Sequence, residues 1–280
     1  MNGRPWPAPA KLNLTLRILG RRDEGYHRLQ TLFQFIDRCD WLSFRARPDG
    51  QIRLLNGIPG VPAEADLCMR AARRLQAATG SRVGADIAIE KSLPLGGGLG
   101  GGSSDAATTL VALNQLWGTG LRLDELAALG LGLGADVPVF VQGRAAWGEG
   151  VGEHLTPLDI PEPWYLVLMP ACAVSTAAVF ADPQLTRNSP SITIADFLGG
   201  DDRNDCLAVV RSRYPLVAAA LDWLDGFARG RLTGTGACVF ASFDSEAEAR
   251  SLLSRVPPGL SGFVAAGINR SPLLERMGES

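Results

Sequence analysis

The chain has 280 residues, 46% hydrophobic and 20% charged, with a formal net charge of −2. That length and apolar content fit one large or two ordinary globular domains and exclude a disordered chain. The near-neutral balance gives no bulk attraction for nucleic acid or an anionic membrane. Of the 27 basic residues, 25 are arginine; the two lysines are Lys11 and Lys91. In a chain so biased to arginine, a retained lysine marks a position where a compact point charge serves and a planar fork does not. The N-terminus, MNGRPWPAPAKLN, lacks the apolar core of a signal peptide, and no apolar run is long enough to span a bilayer. Five cysteines (39, 68, 172, 206, 238) stand far apart with no C-x-x-C. That pattern argues against a disulfide scaffold or a zinc site and predicts a cytoplasmic protein.

In chain order, the first predicted element is a strand over Lys11–Ile18. Leu12, Leu14, Leu16 and Ile18 alternate with polar residues, so Lys11, Asn13 and Thr15 share the opposite face. A polar connection, GRRDEGYH, leads into strand-like sequence through Phe44 and around Ile52–Leu55. Leu67, Ala71, Leu75 and Ala78 predict a helix starting near Asp66 and stopped by Gly80. Asp86–Glu90 alternates as a short strand. Six of the seven residues Gly96–Gly102 are glycine. A helix follows, with Ala106, Leu110, Leu113 and Trp117 as its apolar stripe, Gly118 as its end, Ser103 or Ser104 as N-cap, and Asp105 in the first turn. A shorter helix is predicted over Asp124–Leu129. Prolines 157, 161 and 163 mark a soft boundary, giving domains 1–157 and 158–280. Beyond it come a strand at Trp164–Met169, mixed helices and strands, and a capping box at Ser245-x-x-Glu248.

A strand, a glycine-rich loop and a helix start bring free backbone N–H groups and the positive end of a helix dipole to one point. Such a point binds anions, and phosphate is the usual occupant. The plainer reading is a flexible linker, but a linker is seldom bracketed by a strand and a capped helix. Gly96-x-Gly98-x-x-Gly101 formally fits a dinucleotide fingerprint, yet in so dense a run the fit is nearly guaranteed. The residues about twenty further on are Asp124 and Glu125 in a helical setting, not at a strand end. The Gly-Lys-Ser/Thr of a Walker loop and the protein-kinase motifs are absent. Two other segments join this picture: Thr233-Gly-Thr-Gly-Ala237, a second small-residue loop, and Gly134-Ala-Asp-Val-Pro138. In the latter, Asp136 reads equally as a helix N-cap or as a catalytic carboxylate.

Taken together, P-x-GGGLGGGSS (Pro94–Ser104), G-A-D-V-P and T-G-T-G-A, in this order, resemble the galactokinase–homoserine kinase–mevalonate kinase–phosphomevalonate kinase (GHMP) superfamily. PAPAKLNLTL, GYHRLQTLFQFID, GADVPVFV and RLTGTGACVF are most similar to its members acting on a cytidine-diphosphate-linked methylerythritol. The resemblance runs from about residue 5 to about 275. It implies an α+β fold of two domains with the active site in the cleft between them. It also implies transfer of the γ-phosphoryl of ATP, with Mg²⁺, to the 2-hydroxyl of CDP-methylerythritol in the non-mevalonate route to isoprenoids.

The same resemblance implies Asp136 as the base and Lys11 as the cation beside it. Pro94, Leu95, Gly96, Gly97, Gly98, Leu99, Gly100, Gly101, Gly102, Ser103 and Ser104 would cradle ATP, with Lys91 near the nucleotide and Ser104 a candidate Mg²⁺ ligand. Asp66 and Asp105 stand where the family is expected to carry Asn near the nucleotide, and an ionised Asp cannot donate a hydrogen bond. Tyr26 by stacking and His27 by hydrogen bonding would hold the cytosine, Phe180 would close the sandwich, and Asn13 and Thr176 would contact substrate. No macromolecular partner is implied beyond a second copy in a homodimer, which the sequence leaves open. The alternatives are a homoserine- or mevalonate-type kinase, or a nucleotide-binding sensor without catalysis on the same fold.

Overall fold

A computed structural model describes residues 4–21, 25, 27–57 and 60–278. Two long strands, β1 (Trp6–Arg21) and β2 (His27–Arg47), run antiparallel along the middle of the molecule. The leucine-alternating segment is thus the centre of a longer strand. After β3 (Ile52–Leu54) come α1 (Leu67–Thr79), β4 (Gly84–Glu90), α2 (Gly101–Trp117), α3 (Leu123–Leu131) and α4 (Val137–Gln142). Then follow β5 (Ala146–Gly150), β6 (His154–Pro157), β7 (Trp164–Met169), α5 (Thr176–Ala181), α6 (Ile194–Leu198), α7 (Leu207–Arg213) and α8 (Pro215–Asp225). The chain ends through β8 (Arg231–Leu232), β9 (Val239–Phe243), α9 (Glu246–Leu253), β10 (Ser261–Ile268) and α10 (Pro272–Gly278).

The strands form one sheet in the order β3-β4-β2-β10-β7-β9-β8, with β1 and β5 also paired to β2 and β6 to β5. Pro157 is the last residue of β6, and Pro161 and Pro163 lie between β6 and β7. The sheet continues across that point, because β10 pairs both with β7 and, through Gly267 and Ile268, with Ile36 and Phe35 of β2. Leu273 of α10 then packs into the core of the first half. The two halves are therefore stitched by a returning strand and helix, a link that the local proline signal does not report.

Among the described residues three apolar cores hold the layers. The first joins α1, α2, α3 and α4 to β2 and β4 around Leu75, Leu110, Leu113 and Phe140. The second joins α5, α7 and α8 to β7 and β9 around Leu166, Val179, Leu221 and Val239. The third, around Leu12, Ile36, Leu99, Val167 and Phe240, lies between them. Each fully buried leucine contributes about 1.5–3 kcal/mol. Helix α2 departs from the expected one-sided stripe. Ala107, Thr108 and Thr109 are buried along with Ala106 and Leu110, because helices pack on one side of α2 and the β1–β2 pair on the other. Among the described residues no helix is long and apolar enough to cross a membrane.

Candidate active site

Helix α2 begins three or four residues earlier than its serines suggest. Gly100 is the N-cap, at φ 74°, and no side chain caps the helix. The first helical bond runs from Ser104 N to Gly100 O at 2.8 Å. The N–H groups of Gly101, Gly102 and Ser103 are therefore the free donors of the first turn, aimed where an anion would sit. This start also fixes which serine faces the cleft. Consecutive helical residues point about 100° apart. Ser103 lines the cleft, whereas Ser104 is fully buried, with its hydroxyl lacking a partner inside the protein. The assignment of Ser104 to a metal is corrected on that ground.

The glycines at 98 and 100 answer to the protein as much as to any ligand. A Cβ on Gly98, which sits at φ 76°, would meet Thr233 O at 2.2 Å. One on Gly100 would meet the Phe140 ring at 2.7 Å and Lys11 Cε at 3.1 Å. The loop is thus pressed between β1 and the 233–238 segment. Lys11 N donates to Leu99 O at 3.0 Å, Cys238 N to Gly97 O at 3.1 Å, and Thr233 Oγ1 to Gly98 O at 3.1 Å.

Lys11 stands at this junction, 2% exposed. Its ammonium has three protons and faces three acceptors: Asn13 Oδ1, Gly98 O at 3.0 Å, and Asp136 Oδ2 at 3.2 Å. Asn13 also donates from Nδ2 to Thr31 Oγ1 at 2.8 Å, and Thr31 donates to Thr15 O at 2.7 Å. Asn13 thus acts as a strut for Lys11 while also lining the cleft, and its amide keeps a second N–H beyond the bond to Thr31. Asp136 occupies the N-cap position of α4, yet its carboxylate makes no capping bond. It turns instead to Lys11 and keeps a third of its side-chain surface open. The carboxylate therefore faces the cleft instead of capping the helix.

A cleft of about 460 Å³ runs past this pair. Leu67, Pro94 and Leu95 line it together with Gly96–Gly98 and Gly100–Gly102, Thr31 and Phe33 of β2, and Leu16, Leu29, Thr176, Phe180 and Thr235. Thr176, at the start of α5, and Thr235, in the 233–238 segment, share a hydrogen bond of 2.9 Å. Phe180 stacks on His27, with ring centroids 4.9 Å apart and 28° between planes. That spacing leaves no room for a base between the two rings. Arg187 Nε donates to His27 Nε2 at 3.3 Å. Burial, then the charges of Arg187 and Arg21, hold the His27 pKa below its ordinary value. Tyr26 lies outside the described residues.

Three expected nucleotide contacts have other occupations. Asp66 caps α1: its Oδ1 accepts from Cys68 N at 2.8 Å and Met69 N at 3.2 Å, and it is 3% exposed. Lys91 is not a lining residue of the cleft, although its Nζ lies 3.5 Å from where a Cβ on lining Gly101 would stand. Its ammonium is held by Asp40 and by Asp105 Oδ2 at 2.7 Å. Asp40, wholly buried, also accepts from Ser92 N at 2.6 Å and Leu93 N at 2.8 Å, pinning the chain just before the glycine loop. Burial pulls the Lys91 pKa down, but the two carboxylates outweigh it and the net shift is upward. Asp105 is the poorer-served acid, since its Oδ1 has no partner. Burial pushes its pKa up to about 7 against the opposing pull of Lys91. Asp40, Thr31 and Arg187 were invisible in the sequence. Nothing in their local context separates them from ordinary strand and loop residues.

The sequence matches the description "GHMP kinases N terminal domain" over residues 66–144 and "GHMP kinases C terminal" over 193–258. The fold agrees with several solved small-molecule kinases. A mevalonate kinase superposes with a TM-score of 0.69 at 16% identity over 96% of this chain and all of the other, a likeness of fold alone. A 4-(cytidine 5'-diphospho)-2C-methyl-D-erythritol kinase superposes with a TM-score of 0.81 at 30% identity, covering 94% of this chain and 99% of that one. Sequence relatives are closer. The 4-diphosphocytidyl-2-C-methyl-D-erythritol kinase of Alkalilimnicola ehrlichii is 61% identical over 98% of this chain and 94% of its own. That of Pseudomonas aeruginosa is 61% identical over 97% and 96%. The chain belongs to the GHMP kinases and, among them, to the 4-diphosphocytidyl-2-C-methyl-D-erythritol kinase family.

Proposed function

We propose that the protein transfers the γ-phosphoryl of ATP to the 2-hydroxyl of 4-(cytidine 5'-diphospho)-2-C-methyl-D-erythritol, with Asp136 receiving the hydroxyl proton. The observation that carries the mechanism is the Lys11–Asp136 pair, 3.2 Å apart, at the mouth of the glycine loop. Phosphoryl transfer asks the protein mainly for positioning and charge stabilisation. The N–H groups of Gly101, Gly102 and Ser103 supply fixed donors for phosphate oxygens. Lys11, saturated by three acceptors, holds Asp136 in place and offsets charge that develops on the attacking oxygen. Thr176, Phe180 and His27 contribute to the substrate side, and Leu67, Pro94 and Leu95 to the ATP side.

Among the described residues no cluster of three or more acidic, histidine or cysteine side chains could cage a metal. Mg²⁺ commonly binds through one or two carboxylates plus substrate phosphates. Asp136, the one acidic side chain lining the cleft among the described residues, with the Ser103 hydroxyl nearby, fits a Mg²⁺ that arrives on ATP. When bound, such an ion would neutralise phosphate charge. The division into halves at 157/158 fits a cleft lined from both sides, and five free cysteines fit a cytoplasmic enzyme.

The test offers ATP with CDP-methylerythritol, homoserine and mevalonate in separate assays. Turnover is expected with the first only. Turnover confined to homoserine or mevalonate overturns the substrate. Tight nucleotide binding without turnover of any leaves the sensor reading.

A further inference from the structure

One guanidinium organises the aromatic end of the cleft. Arg187, in the connection between α5 and α6, donates from Nη2 to Phe180 O at 2.8 Å and Asp182 O at 2.7 Å, and from Nη1 to Leu185 O at 3.1 Å. Its Nε donates to His27 Nε2 at 3.3 Å. The same side chain therefore grips the backbone of Phe180 and the ring stacked on Phe180. A guanidinium only donates, so the imidazole nitrogen facing it must carry a lone pair and no proton. In a neutral imidazole the proton then resides on Nδ1. Among the described residues Nδ1 has no hydrogen-bond partner.

We propose that Arg187 is a positioning residue that locks His27 in the Nδ1–H tautomer, so that the ring offers a pyrimidine base a donor and favours cytosine over uracil. The selectivity rests on the proposed reading that the cleft takes a cytidine nucleotide with His27 at the base. Cytosine presents an unprotonated N3, which accepts from a donor; uracil presents N3–H at the same place, so two donors would meet and one would go unpaired. Leaving a polar group unpaired on binding costs more than a hydrogen bond gains. The charged groups facing the ring among the described residues, Arg187 and Arg21, are both cations and both oppose protonation. The ring thus remains a neutral donor at neutral pH.

The full chain carries only two histidines, His27 and His154, which makes nitrogen-15 NMR of the imidazoles decisive. His154 is mostly exposed and serves as the internal reference. At a pH above the ordinary histidine value of about 6.5, the wild-type His27 ring is expected to show a protonated Nδ1 and an unprotonated Nε2. Its titration midpoint is expected below the ordinary histidine value. Arg187→Met should move the ring toward Nε2–H and raise its midpoint, and Arg187→Lys, which keeps a cationic donor, should restore part of both. The preference for CDP over UDP should fall about fivefold in Arg187→Met, the size of one neutral hydrogen bond. KM for the full substrate should rise while kcat stays within about twofold. A wild-type ring protonated at Nε2, or a tautomer unmoved by Arg187→Met, overturns the lock, and the wild-type measurement needs no variant to fold. Failure of wild-type protein to bind CDP overturns the base reading and its selectivity, and is distinguished from failure of the lock because the tautomer is read without ligand.

Discussion

The two lysines of this chain sit in ion pairs whose acids differ in accessibility. Lys11 meets one carboxylate, Asp136, whose other side opens to the cleft. Lys91 meets two, Asp40 and Asp105, both closed off from solvent. The first pair leaves its acid open to the cleft; the second buries both of its acids and spends its charge on fixing the chain before the glycine loop. A lysine beside a phosphate loop is thus no sign of phosphate contact by itself. What separates the reactive pair from the structural one is whether the acid can be reached.

That contrast breaks first at Asp136. Asp136→Asn removes the proton acceptor but keeps the shape, so kcat should fall about 10²–10⁴-fold, the range for a general base. ATP binding, measured by fluorescence titration, should change little, because the loop N–H donors are untouched. Wild-type kcat in this variant would remove Asp136 from the base role. Lys11→Arg comes next. The Lys11 side chain is 3% exposed and its Cε lies 3.1 Å from where a Cβ on Gly100 would stand. A guanidinium has no space there and cannot match three acceptors arranged around one nitrogen. Loss of about 10²-fold in kcat is expected, with about 1–3 kcal/mol of overpacking in urea unfolding. An active, stable Lys11→Arg would show that the rarity of lysine carried no information at this position.

The contrast also shows what the sequence could carry. Strand β1 and its lysine were legible because period-two alternation is a local signal and the resulting face is short. The glycine loop was legible as an anion site, but its glycines turned out to be set also by close approaches to Thr233, Phe140 and Lys11, contacts made across more than a hundred residues in the case of Thr233. The start of α2 was misread because Ser103 and Ser104 are good capping types, while the chain caps with Gly100 and uses its free N–H groups for the cleft. Asp40 and Arg187 were not legible at all. Their roles arise from tertiary placement, and an Asp in a strand or one arginine among 25 carries no local mark.

The closed pair yields a pH effect. Asp105 titrates at about 7 in the folded protein and at about 3.9 when unfolded. Between those values the native carboxyl holds a proton that the unfolded chain has released. Stability therefore falls as pH rises through this window, and the burial cost is fully expressed above it. Asp105→Asn abolishes the titration while keeping the shape. Urea unfolding from about pH 4 to pH 8 should give a flatter stability profile for the variant than for the wild type. Parallel profiles would mean that Asp105 is ionised throughout and that Lys91 fully compensates it.

The smallest effect falls on the third aspartate, which the family pattern would place at the nucleotide. Asp66 uses one oxygen to accept two backbone N–H groups of α1, while its neighbour Leu67, not Asp66, lines the cleft. Asp66→Ala strips the cap and leaves those donors buried, at a cost of about 1 kcal/mol. Asp66→Asn retains an acceptor oxygen at the same position and should recover most of that loss. KM for ATP should stay near wild type in both, because the helix start is held by tertiary packing of Leu75 and Ala71 as well as by its cap. A rise in ATP KM that Asn rescues, with unfolding unchanged in both variants, would instead return Asp66 to the nucleotide site and make its carboxylate a substitute for the amide expected there.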